Sequence, residues 1–425
     1  GSAGGAEKYE EREMRGLELA LAVALLNTDR IGVLWPPLFL RLQSILDNPR
    51  SSIRVLTKAS VGLLRIGSRS LHCDPIGQNV ASAVGKLQFL EEAKLSAISG
   101  AVGEQLRLLV KLNLDSIRTH CGDDFILVVQ TLKKLSNYAS SADAALEALA
   151  LLILHRSALS PAHFTACCEA VGEVAKSATD SAVALKAIDY LYALHLRVCC
   201  WRRQEESGHV AAAEGRVTSS EEAGEGEERA GGSSGAEVAP LWLTVLKELV
   251  GTSLQREGAE RDHAMLSLER ALLSSLPSSA LSGQHWVAFF QDVVWRLLEG
   301  LTAEGKAKVA VAGGAVDAGG GMEKSLMRAW LLSCSLILKH LPALTTQMTP
   351  KEFASLWKTF LVLTEKLTEG TRSPLAIDCV PHQLDDMVGV VEEVDCLRGE
   401  ASLWADTWRI LDRIAPAVRA ARHPK

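Results

Sequence analysis

Apolar residues recur along this chain at i, i+3, i+4 and i+7, the spacing that places them on one face of an α-helix. The pattern predicts helices over residues 8–29, 36–47, 50–71, 99–119, 123–138, 142–156, 161–178 and 180–203. After a break it predicts further helices over 240–256, 259–276, 284–300, 322–341, 350–368, 382–397 and 400–420. Ser160-Pro161 and Thr349-Pro350 each put a capping residue before a proline at the first helical position. Thr349 and Glu352 have capping-box spacing. Alternating β-branched runs do not occur, and aromatic residues are only 5% of the chain, so no sheet is expected. The expected fold is all-α: a HEAT/armadillo-like α-solenoid of stacked helical hairpins, each burying its apolar face on the next. No strict period is visible, so the repeats should be degenerate.

Two segments interrupt the pattern. Residues 204–238, QEESGHVAAAEGRVTSSEEAGEGEERAGGSSGAEV, are rich in Glu, Gly and Ser and read as a disordered acidic linker. Residues 302–321 read as a flexible loop. Its glycines make no phosphate cradle, because no G-K-[ST] follows and no strand precedes them. The expected organisation is a helical segment over 1–120, a second over 121–203, the linker 204–238 and a third segment over 239–425.

At 425 residues and 48% apolar composition, the chain can bury more than one core. A net charge of −6 argues against nucleic acid as a general partner. Nine cysteines, including the adjacent pairs Cys167-Cys168 and Cys199-Cys200, contain no C-x-x-C, and an odd count suits reduced, mostly buried thiols in a cytosolic protein. The opening GSAGGAEKYEERE does not read as a signal peptide. The longest apolar run, LELALAVALL at 17–26, contains Glu18 and is too short to span a bilayer.

Asp115, His120, Cys121, Asp123 and Asp124 gather chemistry-bearing groups in a short stretch. Capping accounts for them: Gly122 suits the left-handed residue that closes a helix, and Asp123 or Asp124 would cap the helix beginning FILVVQ. A metal site would need ligands from elsewhere, and no H-x-x-x-H supplies them. His155, His163 and His195 lie among apolar residues and read as core or boundary positions. No G-x-S-x-G, H-E-x-x-H or paired-carboxylate motif is present. No catalytic residue, cofactor or metal is therefore expected. Trp404 and Trp408, four apart, share a helix face that is either core packing or an exposed partner anchor.

Residues 50–71 contain no acid. At about 100° per residue, Arg50, Arg54, Lys58, Arg65 and Arg69 fall within roughly a 100° arc, with Ile53, Leu56, Leu63, Leu64 and Leu71 mostly opposite. This stripe is either a solvated outer face, a face paired with acids from a neighbouring helix, or a docking surface for anionic lipid or an acidic partner. A cation near an anionic membrane contributes about 1 kcal/mol, so five would give weak, salt-sensitive recruitment.

Several separated motifs resemble the region downstream of the catalytic domain in large Golgi Arf guanine-nucleotide exchange factors of the brefeldin-A-resistance and GNOM type. KASVGLLRI (58–66) is similar to the family's A-V-x-G-L-L-R-[IL] helix, and LVKLNLDSIR (109–118) to its L-[LV]-K-x-N-x-x-x-I segment. GGMEKSLMRAWLLSCSLILKHL (320–341) resembles G-G-M-E-x-x-x-x-R followed by an apolar helix. FASLWKTFL (353–361) and SLWADTWRILDRIAP (402–416) resemble F-x-x-L-W and S-L-W-x-x-T-W elements. Phe125 stands where the family often has tryptophan, and the two interrupting segments are longer than usual. The resemblance implies a non-catalytic regulatory and membrane-targeting region: 1–120 would join the first and second downstream-homology segments, and 239–425 would be the third. The implied partners are small GTPases of the Arf/Rab class, anionic Golgi lipids and the rest of the same exchange factor. The family's catalytic F-R-x-P-G-E-[AS]-Q loop does not occur in this sequence, so no exchange activity is expected of it. The alternative is a HEAT-type scaffold or transport adaptor unrelated to Arf.

Overall fold

The computed structural model describes residues 3–155, 158–215, 238–274, 281–311, 320–370, 374–394, 401–416, 418 and 422, and every regular element among them is helical. They divide into two compact units, Gly1–Leu194 and His195–Lys425.

In the first unit the helices are α1 (Ala3–Leu26), α2 (Ile31–Leu46), α3 (Ile53–Ser70), α4 (Ile76–Lys86), α5 (Glu92–Leu112), the short α6 (Ile117–Cys121), α7 (Phe125–Leu135), α8 (Ala142–Leu154) and α9 (Pro161–Ser177); α10 (Ser181–Gly215) contains the unit boundary. Contacts run in two rows: α1 on α3, α3 on α5 and α5 on α8 in one, and α2 on α4, α4 on α7 and α7 on α9 in the other. That is a two-layer stack of helical hairpins. The second unit repeats the scheme with α11 (Val238–Gln255), α12 (Gly258–Leu273), α13 (Gly283–Phe289), α14 (Arg296–Val311), α15 (Gly320–Gln347), α16 (Pro350–Gly370), α17 (Pro374–Val394) and α18 (Ala401–Ile414). Its rows are α11–α14–α16–α18 and α12–α15–α17. A π-helical turn, Phe290–Trp295, joins α13 to α14.

The period hidden in the sequence emerges in the side-chain bonds between successive hairpins. Lys86–Asp47, Lys134–Glu92, Lys186–Asp143, Arg261–Glu304, Lys358–Asp406 and Arg413–Glu365 join residues 39, 42, 43, 43, 48 and 48 positions apart. HEAT and armadillo units span about 40–47 residues, whereas a tetratricopeptide unit spans about 34. The spacing is of the first kind.

Several elements differ from the pattern-based expectation, each for a physical reason. Helix α4 was not expected: IGQNVASAVGK is built of small residues because its packing is tight. A Cβ on Gly77 would lie 2.4 Å from the His120 carbonyl oxygen, and one on Gly85 would lie 3.0 Å from Leu127. The helix expected over 99–119 begins earlier and breaks at Asn113, whose amide donates to the Leu109 and Ser68 carbonyls at 2.9 and 3.2 Å. Ser160 does not cap α9 through its side chain; its hydroxyl sits 2.9 Å from His163 Nδ1 instead. The Thr349–Glu352 capping box forms, with Glu352 accepting from the Thr349 N–H at 2.8 Å and Thr349 accepting from the Glu352 N–H at 3.3 Å. Of the segment read as a linker, residues 204–215 continue α10, where HVAAAEG has good helix formers, and 216–237 lie outside the described residues. Of the segment read as a loop, 302–311 continue α14, and 312–319 lie outside the described residues.

The core of the second unit is an aromatic chain. Ring centroids lie 5.4 Å apart for Trp242–Phe289, 5.1 Å for Phe289–Phe290, 5.3 Å for Phe290–Trp295 and 6.4 Å for Trp295–Phe360. Trp330 and Trp357 join at Phe360, 6.4 and 5.8 Å away. Among the described residues, no helix is long and apolar enough to cross a membrane.

Candidate partner surface on the third helix

Helix α3 begins at Ile53 because the Ser52 hydroxyl accepts the Val55 N–H at 3.3 Å. Arg50 therefore precedes the helix, in a turn where its N–H donates to Asn48 Oδ1 at 3.0 Å, and it is not part of the helical stripe. One side of α3 is buried through Val55, Leu56, Ala59, Leu63, Leu64 and Ile66. Gly62 lets α1 approach, since a Cβ there would stand 2.4 Å from the Leu21 side chain. Arg54, Arg65 and Arg69 are exposed and Lys58 is half-buried.

The structure divides this stripe by use. Lys58 Nζ lies 2.7 Å from the Glu18 carboxylate of α1, and its hydrogen bond, then its charge, hold the Glu18 pKa below the usual range. Arg69 donates to the Leu25 carbonyl, near the C-terminal end of α1, at 3.3 Å. These two cations fasten α1 to α3. Arg54 and Arg65 have no acidic partner among the described residues and point from one face of the helix, about 16 Å apart along its axis. Pairing with an acid of a neighbouring helix, one of the alternatives the sequence left open, holds for Lys58; which groups accept could not be named from the sequence, because Glu18 and Leu25 lie some forty positions upstream.

The polar cluster near residue 120 is structural. Gly122 has the positive φ expected there, +56°, but its ψ of −138° lies outside the left-handed helical region of a helix-closing glycine, and Asp124 makes no side-chain cap bond; a 3-10 turn, Gly122–Asp124, leads directly into α7. Asp115 is highly exposed and lies 3.6 Å from His155 Nε2. Burial, and secondarily Asp124, push the Cys121 thiol up to about 12. No group of three His, Cys, Asp or Glu side chains among the described residues is placed to hold a metal ion. His163 packs edge-on against Phe125 with centroids 4.9 Å apart. His195 is buried, with Nε2 3.2 Å from Ser274 Oγ and 3.6 Å from Cys199 Sγ, and burial lowers its pKa to about 4. Burial raises the Cys199 pKa, which keeps that thiol protonated and a poor nucleophile. Burial also lowers His340, against the Trp286 ring, to about 4. Trp404 and Trp408 are half-buried and stacked on each other, 6.1 Å between centroids.

Comparison with known proteins agrees that the chain is built of helical repeats, although the matching family model is described by a tetratricopeptide repeat and the hairpin spacing is of the HEAT/armadillo kind. The family model described as "GBF1-like, tetratrico peptide repeat region" matches residues 242–418. The chain is similar to ARF guanine-nucleotide exchange factor GNOM of Arabidopsis thaliana, 24% identical over 420 residues, which is 96% of this chain and 27% of that protein. It is also similar to ARF guanine-nucleotide exchange factor GNL1 of the same plant, 23% identical over 432 residues, 98% of this chain and 28% of that protein. No solved structure matches. The chain spans just over a quarter of the length of these relatives, and the matches cover nearly all of it. It is a helical repeat region homologous to part of the GNOM-type ARF guanine-nucleotide exchange factors.

Proposed function

We propose that this chain is the C-terminal, non-catalytic regulatory region of an Arf guanine-nucleotide exchange factor acting in Golgi vesicle traffic. The observation that carries this reading is the match of 96% and 98% of the chain to two exchange factors. The buried thiols support a role in contact rather than chemistry, because burial holds Cys121 and Cys199 protonated and so poorly nucleophilic. The helical repeats of each unit act as the contact-bearing parts of a peripheral Golgi protein. They present surfaces to Arf/Rab-class GTPases, to the rest of the exchange factor and to the membrane.

For the membrane, the cations that bear the contact are Arg54 and Arg65, with Arg50 and Arg69 at either end and Lys58 committed to Glu18. Two arginines near an anionic surface contribute about 2 kcal/mol, roughly 30-fold in binding. The double substitution Arg54→Glu/Arg65→Glu is expected to weaken co-sedimentation with phosphatidylserine vesicles at least tenfold at low salt, with unchanged helicity. Raising the ionic strength should weaken the parent protein in the same way. Equal sedimentation of parent and variant would remove α3 as the lipid-facing helix.

A further inference from the structure

Helix α17 is acidic along its length. Residues 374–394 contain Asp378, Asp385, Asp386, Glu392 and Glu393, and neither Lys nor Arg. Asp385, Gly389 and Glu392 stand at i, i+4 and i+7 and so share one face. On that face lies the guanidinium of Arg422, from the segment after α18. Its Nε donates to the Asp385 carboxylate, its Nη2 to the Asp385 main-chain carbonyl at 2.5 Å, and its Nη1 to the Glu392 carboxylate at 3.3 Å. Gly389 makes the room: a Cβ there would stand 2.6 Å from Nη2 and 3.1 Å from Cζ. The planar group therefore rests on bare helix backbone, with each of its three nitrogens on an acceptor of its own.

A surface ion pair needs less than this. A lysine would supply the charge, but its compact ammonium has no planar fork to lay against Gly389. A second contact comes from Val418, four residues before Arg422 and only 3% exposed. The segment thus presents an apolar residue and an arginine about one helical turn apart. Its sequence over 415–425, APAVRAARHPK, holds Arg419, Arg422 and Lys425 and no acid, opposite in sign to α17. Asp386 and Glu393 stay exposed on the same helix, and between described residues both ion pairs of α17 are with Arg422. The seat selects for shape, and the helix around it carries more negative charge than one guanidinium offsets.

We propose that the Asp385–Gly389–Glu392 face of α17 is a recognition site for an arginine-bearing basic helix of a protein partner, with an apolar residue four positions before the arginine, and that Val418 and Arg422 occupy it in cis. The partner's segment takes the seat by displacing them. Its apparent affinity is then set by the fraction of molecules in which the seat is empty.

The test is fluorescence anisotropy of a labelled peptide, APAVRAARHPK, with residues 1–425 as the parent and as the Arg422→Glu and Gly389→Ala variants. The new carboxylate in Arg422→Glu is repelled by Asp385 and Glu392 and empties the seat, so this variant should bind the peptide at least tenfold more tightly than the parent. The peptide carrying Arg422→Lys should bind that variant at least tenfold more weakly. Gly389→Ala also expels Arg422, which faster trypsin cleavage after that residue reports, but its methyl group fills the seat and peptide binding should not exceed the parental level. Binding no tighter to Arg422→Glu than to the parent overturns the proposal. So does equal binding of the arginine and lysine peptides, which would mean charge attraction alone. Tight binding to Gly389→Ala overturns it too, by placing the peptide elsewhere. Unfolding of the second unit in both Arg422→Glu and Arg422→Ala, read by tryptophan fluorescence, does the same, because the contact would then hold the fold rather than a partner.

Discussion

Glu304→Ala is expected to destabilise the second unit by about 3–5 kcal/mol. Arg261, on α12, is only 4% exposed, and its Nη2 reaches both Glu304 carboxylate oxygens on α14 at 2.9 Å. Its Nε donates to the Ser253 carbonyl at 2.9 Å. Losing the carboxylate strands a guanidinium in a low-dielectric setting with the Ser253 carbonyl as its remaining oxygen acceptor among the described residues. The converse change, Arg261→Met, should cost less, because the Glu304 side chain is 23% exposed and water can solvate it. Arg261→Met combined with Glu304→Met should return close to parental stability, since an apolar pair of similar volume avoids the desolvation cost. Urea unfolding followed by tryptophan fluorescence reads this out. Of the nine tryptophans, only Trp35 lies in residues 1–194, so the signal is dominated by the second unit. A midpoint shift at constant slope is the expected form. Similar losses for Glu304→Ala and Arg261→Met would contradict the asymmetry.

Trp357→Ala should cost a similar amount, about 3–5 kcal/mol, for a different reason. Its indole is fully buried against Phe360, and Nε1 donates to Thr407 Oγ1 at 3.1 Å, tying α16 to α18. Thr407 passes the bond on, donating to the Leu403 carbonyl at 2.8 Å. One hairpin earlier the device repeats: Trp330 Nε1 donates to Thr364 at 3.0 Å, and Thr364 donates to the Phe360 carbonyl at 2.9 Å. Thr407→Val keeps the volume and orphans the indole N–H, so it should cost about 1–3 kcal/mol. In the Trp357→Phe/Thr407→Val cycle the two losses should be less than additive, by about 1 kcal/mol. Strict additivity would mean that the hydrogen bond carries no stability.

What the sequence disclosed and what it hid follow from range. Helices with broad apolar stripes were legible, as was the Thr349–Glu352 box, because both are set by residues within one or two turns. Helix α4 was not, since its glycines matter only through the closeness of His120 and Leu127. The hairpin period was not visible either, because it resides in polar pairs some forty positions apart rather than in recurring letters. The cationic stripe was half legible. Its arc could be drawn from the sequence, but that Lys58 and Arg69 serve α1 while Arg54 and Arg65 face outward depends on which upstream helix lies alongside.

The most direct test of a role in contact rather than chemistry is nucleotide exchange on purified Arf, followed by release of fluorescent GDP in the presence of magnesium and anionic vesicles. Residues 1–425 alone should leave the release rate at its spontaneous value across micromolar concentrations. Concentration-dependent acceleration by this chain alone would contradict the account.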